Sequence, residues 1–184
     1  MDWFEEFTLE EQMEYAKAED VEDRRDFSRY SILPEVADYM VEHETDKRLM
    51  GVIFNNLFYK VNNNVWASTL SKAARKLVEV YGADHHSTDA IALHLNTDVD
   101  TLEYLFELNN SHINWALASN PNTPRAILEK LSDEESFDIE EALYFNPNVP
   151  EEIKRKVRKR LPEAFFTVGS YYRAMGIEIK ASGN

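Results

Sequence analysis

Two stretches decide the reading of this chain: Ala116-Leu117-Ala118-Ser119-Asn120-Pro121-Asn122-Thr123-Pro124 and Ala142-Leu143-Tyr144-Phe145-Asn146-Pro147-Asn148-Val149-Pro150. They align without a gap at a spacing of 26 residues, and the register extends outward, pairing Ile113 with Ile139, Ile127 with Ile153 and Leu131 with Val157. A fixed period of this size is the signature of stacked repeats. Asn-Pro-Asn is turn chemistry, because Pro fixes one dihedral and Asn bonds nearby backbone. Pro124 and Pro150 then stand where a helix begins, and Ile127 with Leu131 and Ile153 with Val157 follow at four-residue spacing. Each unit therefore reads as a short apolar segment, a tight turn and a helix of two to three turns. Such a unit cannot close a core alone, so its neighbours must bury a shared apolar seam.

Upstream, Ala92-Leu93 precedes Asn96 by the step that separates Ala116-Leu117 from Asn120 and Ala142-Leu143 from Asn146, giving periods of 24 and 26. The first copy carries Thr97-Asp98-Val99-Asp100 in place of the Pro-containing turn, and Asn62-Asn63-Asn64-Val65 reads as a more degenerate copy. The expected organisation is a helical N-terminal region over residues 1–86, about three repeats over 87–161 and a C-terminal cap and tail over 162–184. In that tail Phe165, Phe166, Tyr171, Tyr172 and Met175 supply apolar cover for the open end of the stack. The expected fold class is all-α, an α-solenoid of 24- to 26-residue repeats with helices packed on its front.

The repeat segments resemble the leucine-rich repeat variant family. That resemblance implies units pairing a short 3-10 helix with an α-helix, wound into a right-handed superhelix over roughly residues 87–161. Family members that carry an iron-sulfur cluster hold it through N-terminal cysteines, and this chain has none, so no cofactor is expected here.

Before the repeats, helix signals dominate. Thr8 with Glu11 forms a capping-box pair that starts a helix from Leu9 towards Asp26, with room for an interruption. Pro34 suits the first residue of a helix to Glu42, and Thr45 stands where it can cap the next. Leu49, Met50, Val52, Ile53, Phe54, Leu57 and Phe58 leave so little polar surface that this third helix reads as central. Trp66, Leu70, Ala73, Ala74, Leu77 and Val80 recur at helical spacing, and Gly82 provides the stop near Tyr81.

The chain has 184 residues, 43% apolar and 12% aromatic, with five Gly and six Pro, enough to fill a core and unlike a disordered sequence. With zero Cys it has no disulfide, thiolate nucleophile or Cys-based metal site, which suits a reducing compartment. No secretory leader pattern and no apolar run of about 18 residues occurs, so a cytoplasmic protein without membrane contact is expected.

The formal net charge is -14, with residues 1–26 at -8 (11 acids, 3 bases), 27–150 at -10 (19 acids, 9 bases) and 151–184 at +4 (4 acids, 8 bases). Such a field repels nucleic acid and anionic membrane and favours a protein partner with a basic surface. Glu19, Glu22, Asp23 and Asp26 fall at i, i+3, i+4 and i+7, and Glu10 and Glu14 form a second such pair. Like charges at this spacing cost a helix about 0.2 to 0.5 kcal/mol per pair, so stability does not call for them. They read either as a solvated face relieved by Arg24 and Arg25, or as a carboxylate row that meets a basic groove in place of a phosphate backbone. Lys154-Arg155-Lys156 and Arg158-Lys159-Arg160 are explained by the dipole of a helix whose first turn holds Glu151 and Glu152; docking onto the acidic N-terminal segment is a further possibility. Trp3, Phe4 and Phe7 read as packing at the front of the fold, or as an aromatic anchor for a partner.

Asp84-His85-His86, with Asp89 nearby, is the one cluster that brings imidazole and carboxylate ligands together. It reads as a polar loop leading into a helix capped by Ser87 or Thr88, or as the metal site of a hydrolase; the three letters echo the Asp-His-His signature of a phosphoesterase family. The strand pattern and further acidic motifs of that family are missing, and the chain has no phosphate-binding glycine loop, nucleophile elbow, HExxH or Rossmann fingerprint. The expected function is a non-enzymatic protein-binding module, adaptor or regulator. The alternative is a nucleic-acid mimic that blocks the basic groove of a DNA- or RNA-binding protein.

Overall fold

A computed structural model of the chain describes residues 7–28, 33–59 and 66–162, with 55–59 as backbone alone. These residues form eleven α-helices, with no strand among them, so the fold class is all-α. The capping box opens α1 (Leu9–Ala16): Glu11 N–H donates to Thr8 Oγ1 at 3.3 Å while Thr8 N–H donates to Glu11 Oε2 at 2.8 Å. The helix read as running on towards Asp26 stops at Ala16. Asp20 is the reason, since its Oδ1 accepts the N–H of Glu22 at 2.8 Å and starts a second helix, α2 (Val21–Phe27). Pro34 is the first residue of α3 (Pro34–His43), as its missing N–H allows.

Asp46, not Thr45, starts α4 (Lys47–Tyr59): its carboxylate accepts Leu49 N–H at 2.8 Å, while the N–H groups of Thr45 and Asp46 donate to Glu44 Oε1. Leu49, Met50, Ile53 and Phe54 of α4 are buried, as a central helix requires. α5 (Ala67–Tyr81) ends where Gly82 takes φ +86°, a value L side chains disfavour. Trp66, counted among the apolar repeat positions of this helix, stands just before it and is 43% exposed.

The repeats comprise α6 (His86–Leu93), α7 (Val99–Glu107), α8 (Ser111–Ser119), α9 (Arg125–Leu131), α10 (Phe137–Phe145) and α11 (Glu151–Arg158). Two expectations change here. The first half of each unit, expected as a short apolar segment or 3-10 helix, is an α-helix of eight or nine residues. The period is also 26 throughout, not 24 and then 26. Asn146 Nδ2 donates to the carbonyls of Ala118 and Asn120 at 2.8 and 3.0 Å, and its Oδ1 accepts Asn148 N–H at 3.0 Å. Asn120 makes the same set one unit earlier, to Ala92 and His94 at 2.7 and 3.2 Å and from Asn122 at 2.8 Å. The residue in the corresponding place of the first unit is His94, whose Nδ1 accepts Asn96 N–H at 3.1 Å.

Asn96 is therefore the counterpart of Asn122 and Asn148, not of Asn120. Thr97 Oγ1 bonds the carbonyl of Ile91 at 2.6 Å as Thr123 Oγ1 bonds that of Leu117, so Ala90-Ile91 is the true match of Ala116-Leu117. Pro124 and Pro150 precede α9 and α11 as expected, and Asp98 fills that place before α7 with its carboxylate on Thr101 N–H at 2.7 Å.

The helices touch in two series, α2–α4–α6–α8–α10 and α1–α3–α5–α7, joined by α1 against α2, α3 against α4, α5 against α6 and α7 against α8, with α9 on α8 and α11 on α10. One apolar core runs through both, from Ala16 and Phe27 to Ile153 and Val157. At its middle the first unit places Thr101 where the other two have Ile127 and Ile153, and the Thr101 hydroxyl is fully buried with no partner among the described residues. Thr101→Val, which keeps the shape and removes the unpaired hydroxyl, is expected to raise unfolding stability by about 1 kcal/mol in urea melts. A loss of stability would mean that the hydroxyl has a partner. Trp3, Phe4, Asn62-Asn63-Asn64-Val65 and the apolar residues of the C-terminal cap lie outside the described residues.

Candidate functional site

With the register at 26, equivalent positions of α6, α8 and α10 can be compared directly. Ile91, Leu117 and Leu143 face the core. On the opposite side His86, His112 and Asp138 are exposed, while Asp89, Trp115 and Glu141 are half-buried, as are Leu93, Ser119 and Phe145. Residues three and four apart share a helix face, so each helix presents one short strip, ending in Leu93 on α6, Ser119 on α8 and Phe145 on α10. Across the three helices the middle position reads carboxylate, indole, carboxylate.

Burial pushes the Asp89 carboxyl above its usual range, with His112 and His86 pulling the other way. Burial, assisted by the charge of Asp138, pushes Glu141 up as well. The Asp89 carboxylate accepts a hydrogen bond from its own backbone N–H, and the charge facing Glu141 is that of Asp138. An acid whose folded pKa is raised binds more protons folded than unfolded, so it weakens the fold above its pKa and the cost fades as pH falls. The double variant Asp89→Asn/Glu141→Gln is accordingly expected to melt about 2 to 4 °C higher than the parent at neutral pH, with the gain shrinking below pH ~5. An unchanged or lower midpoint would show that the two charges are not a burden.

The Asp84-His85-His86 loop is built differently from a metal centre. His85 itself caps α6, its Nδ1 accepting Ser87 N–H at 3.3 Å, so neither Ser87 nor Thr88 is the cap. Its ring lies between those of Tyr81 and His86, at centroid distances of 4.6 and 4.3 Å, and burial followed by the charge of His86 pulls its pKa down. Asp84 Oδ1 accepts a hydrogen bond from Asn110 Nδ2 at 2.5 Å. Among the described residues no three His, Asp or Glu side chains converge as a metal site.

The N-terminal acids divide. Glu19 precedes the Asp20 cap and so is not on the helix that carries Glu22, Asp23 and Asp26; the four do not form one helical row. Glu22 pairs with Arg25. Glu14 and Asp23 instead border a shallow cleft of about 390 Å³ with Phe7, Glu11, Tyr15 and Ala18, and Glu10 lies exposed in the first turn of α1. The rings of Phe7, Tyr15 and Phe27 stack in sequence, each 5.7 Å from the next, so Phe7 packs at the front of the fold. At the other end, Lys156 donates to Ser132 Oγ at 2.9 Å and pairs with Asp133, while Arg160 pairs with the buried Glu140 and donates to the Ser132 carbonyl at 2.8 Å. These cations fasten α11 to the preceding unit.

The Asp89, Trp115 and Glu141 strip was not visible as a group in the sequence, where Asp89 reads only as a neighbour of two histidines. Aligning His94 with Asn120 would have revealed it. No family model, curated protein or solved structure matches the chain. Among the described residues no helix is long and apolar enough to cross a membrane.

Proposed function

We propose that the protein is a non-catalytic binding module of the leucine-rich repeat variant type, a cytoplasmic adaptor or regulator that engages a protein with a basic surface through the open face of α6, α8 and α10. The observation that carries this reading is the row itself: two half-buried carboxylates that burial pushes above their usual range, set on either side of a half-buried Trp. Negative charge at a partly desolvated site is a cost to the free protein that an incoming cation relieves. Stacked units present extended surfaces of this kind in preference to deep pockets.

Blocking of a basic nucleic-acid groove by Glu19, Glu22, Asp23 and Asp26 has less support, since Glu19 lies off the helix and Glu22 is paired. Capture from a lysate of the source cells separates the two readings, using as bait the intact chain, the Asp89→Asn/Glu141→Gln variant and a Glu14→Gln/Asp23→Asn variant. The proposal expects a protein partner, lost at rising salt and lost with the first variant alone. Loss with the second variant, together with displacement by DNA or RNA, would favour the mimic. Equal capture by all three baits, or none, would sink the proposal.

A further inference from the structure

We infer that the chain associates with a second copy of itself, the basic outer side of α11 in one copy lying on the acidic outer side of α7 in the other. The inference stands apart from the reading above and uses none of Asp89, Trp115 or Glu141. Positions four apart share a helix face. In the corrected register Val99, Glu103 and Glu107 of α7 hold the places that Glu151, Arg155 and Lys159 hold on α11 and its cap, two units on, and all six are exposed. Between the second and third units such surface charges are bridged, Arg125 pairing with Glu152 and Asp133 with Lys156. At the two ends of the row they are not. The cations that reach α7 from its neighbours rest on its rings, Arg75 over Tyr104 at 4.8 Å and Lys130 over Phe106 at 5.3 Å. No ion pair among the described residues engages Glu103, Glu107, Arg155 or Lys159.

Each helix therefore exposes two like charges one turn apart, which repel, and the other helix carries the opposite charges at the same spacing. Laid antiparallel, Glu103 meets Lys159 and Glu107 meets Arg155 of the second copy, while Glu151 and Glu152 pass beyond the end of α7. Beside the acids, Leu95 and Val99 are 59% and 50% exposed, apolar surface of the kind that the aliphatic stems of Lys and Arg cover. Lys156 and Arg160 fasten α11 to the preceding unit, so it cannot swing onto α7 of its own chain. The net charge of -14 opposes association, but at physiological salt charges farther apart than about 8 Å are screened, and those in contact much less.

Sedimentation velocity of the full chain tests the contact, which is small and expected to be weak, over about 10 μM to about 1 mM chain in about 0.15 M NaCl. The parent is expected to sediment faster as its concentration rises, and to lose that rise in about 1 M NaCl. Glu103→Lys/Glu107→Lys and Arg155→Glu/Lys159→Glu are each expected to lose it alone. An equimolar mixture of the two is expected to regain it, since each variant then supplies the helix that the other needs. Replacing two acids by two bases in the first variant changes the net charge by +4, from -14 to -10, so its loss of association cannot be general repulsion. Recovery in the mixture likewise cannot come from unfolded chains. A parent that stays monomeric at every concentration overturns the inference. So does association that either reversal leaves intact, or a mixture that stays monomeric.

Discussion

Asn146→Ala is expected to lower unfolding stability by about 3 kcal/mol and the melting midpoint by about 6 to 12 °C. The residue is fully buried and serves three backbone groups at once: the carbonyls of Ala118 and Asn120, one unit back, and the N–H of Asn148 in its own turn. Alanine leaves these without a partner in a place that water reaches poorly, and each buried unsatisfied group costs about 1 to 3 kcal/mol before relaxation. Asn120→Ala is expected to cost as much, because it makes the same three bonds. Asn122 is the contrast. Its exposed side chain donates only to the Leu95 carbonyl, at 2.6 Å, and water can replace that bond, so Asn122→Ala is expected to cost about 0.5 kcal/mol. Urea melts of the three variants decide the matter. Similar small losses at 120, 122 and 146 would mean that apolar stacking holds the units together and that the asparagines merely shape turns.

The same bonds explain what the sequence conceals. Thr8 with Glu11, Pro34, Gly82, Pro124 and Pro150 were legible because each acts on its own few residues, and local geometry alone dictates their roles. The 26-residue register was legible where letters repeat, between the second and third units. It was misread where function is kept and the letter is not. An imidazole nitrogen accepts Asn96 N–H as an amide oxygen accepts Asn122 N–H, so His94 fills the place of Asn120 with a different letter, while Ala92-Leu93 repeats the letters two residues away from the equivalent place. His94→Asn is therefore a tolerated change in this account.

Caps were misplaced for a related reason. Ser, Thr, Asp, Asn and even His can all accept the same N–H, and between Thr45 and Asp46, or His85 and Ser87, only the path of the preceding chain decides. The row of Asp89, Trp115 and Glu141 was hidden twice over, needing both the corrected register and the knowledge of which side of α6, α8 and α10 the core takes.

Arg24→Ala is expected to cost about 3 kcal/mol at neutral pH and markedly less near pH 4. Arg24 Nε and Nη2 donate to the two oxygens of Glu44 at 2.9 and 3.3 Å, and Nη1 donates to the carbonyls of Ala18 and Glu19 at 2.6 and 3.0 Å. One side chain thus ties the α1–α2 turn to the α3–α4 turn. Burial works to raise the pKa of Glu44, whose side chain is 4% exposed, but hydrogen bonds from Arg24 and from the N–H groups of Asp46 and Thr45 outweigh it and hold the carboxyl below its usual range. A depressed folded pKa means that this stabilisation is complete above the unfolded value, about 4.3, and is lost as pH falls through the folded one. Removing Arg24 reverses the sign: the carboxylate stays buried without its countercharge, its pKa rises, and the variant recovers part of its deficit by taking up a proton that the parent refuses. The gap between parent and variant should therefore narrow as pH drops from 7 to 4 in parallel urea melts. Arg24→Ala/Glu44→Gln, which removes the buried charge with its partner, is expected to be more stable than Arg24→Ala alone at pH 7. A gap independent of pH, together with a double variant no better than the single, would assign the loss to the Ala18 and Glu19 carbonyls and leave the ion pair without a part in holding the two turns together.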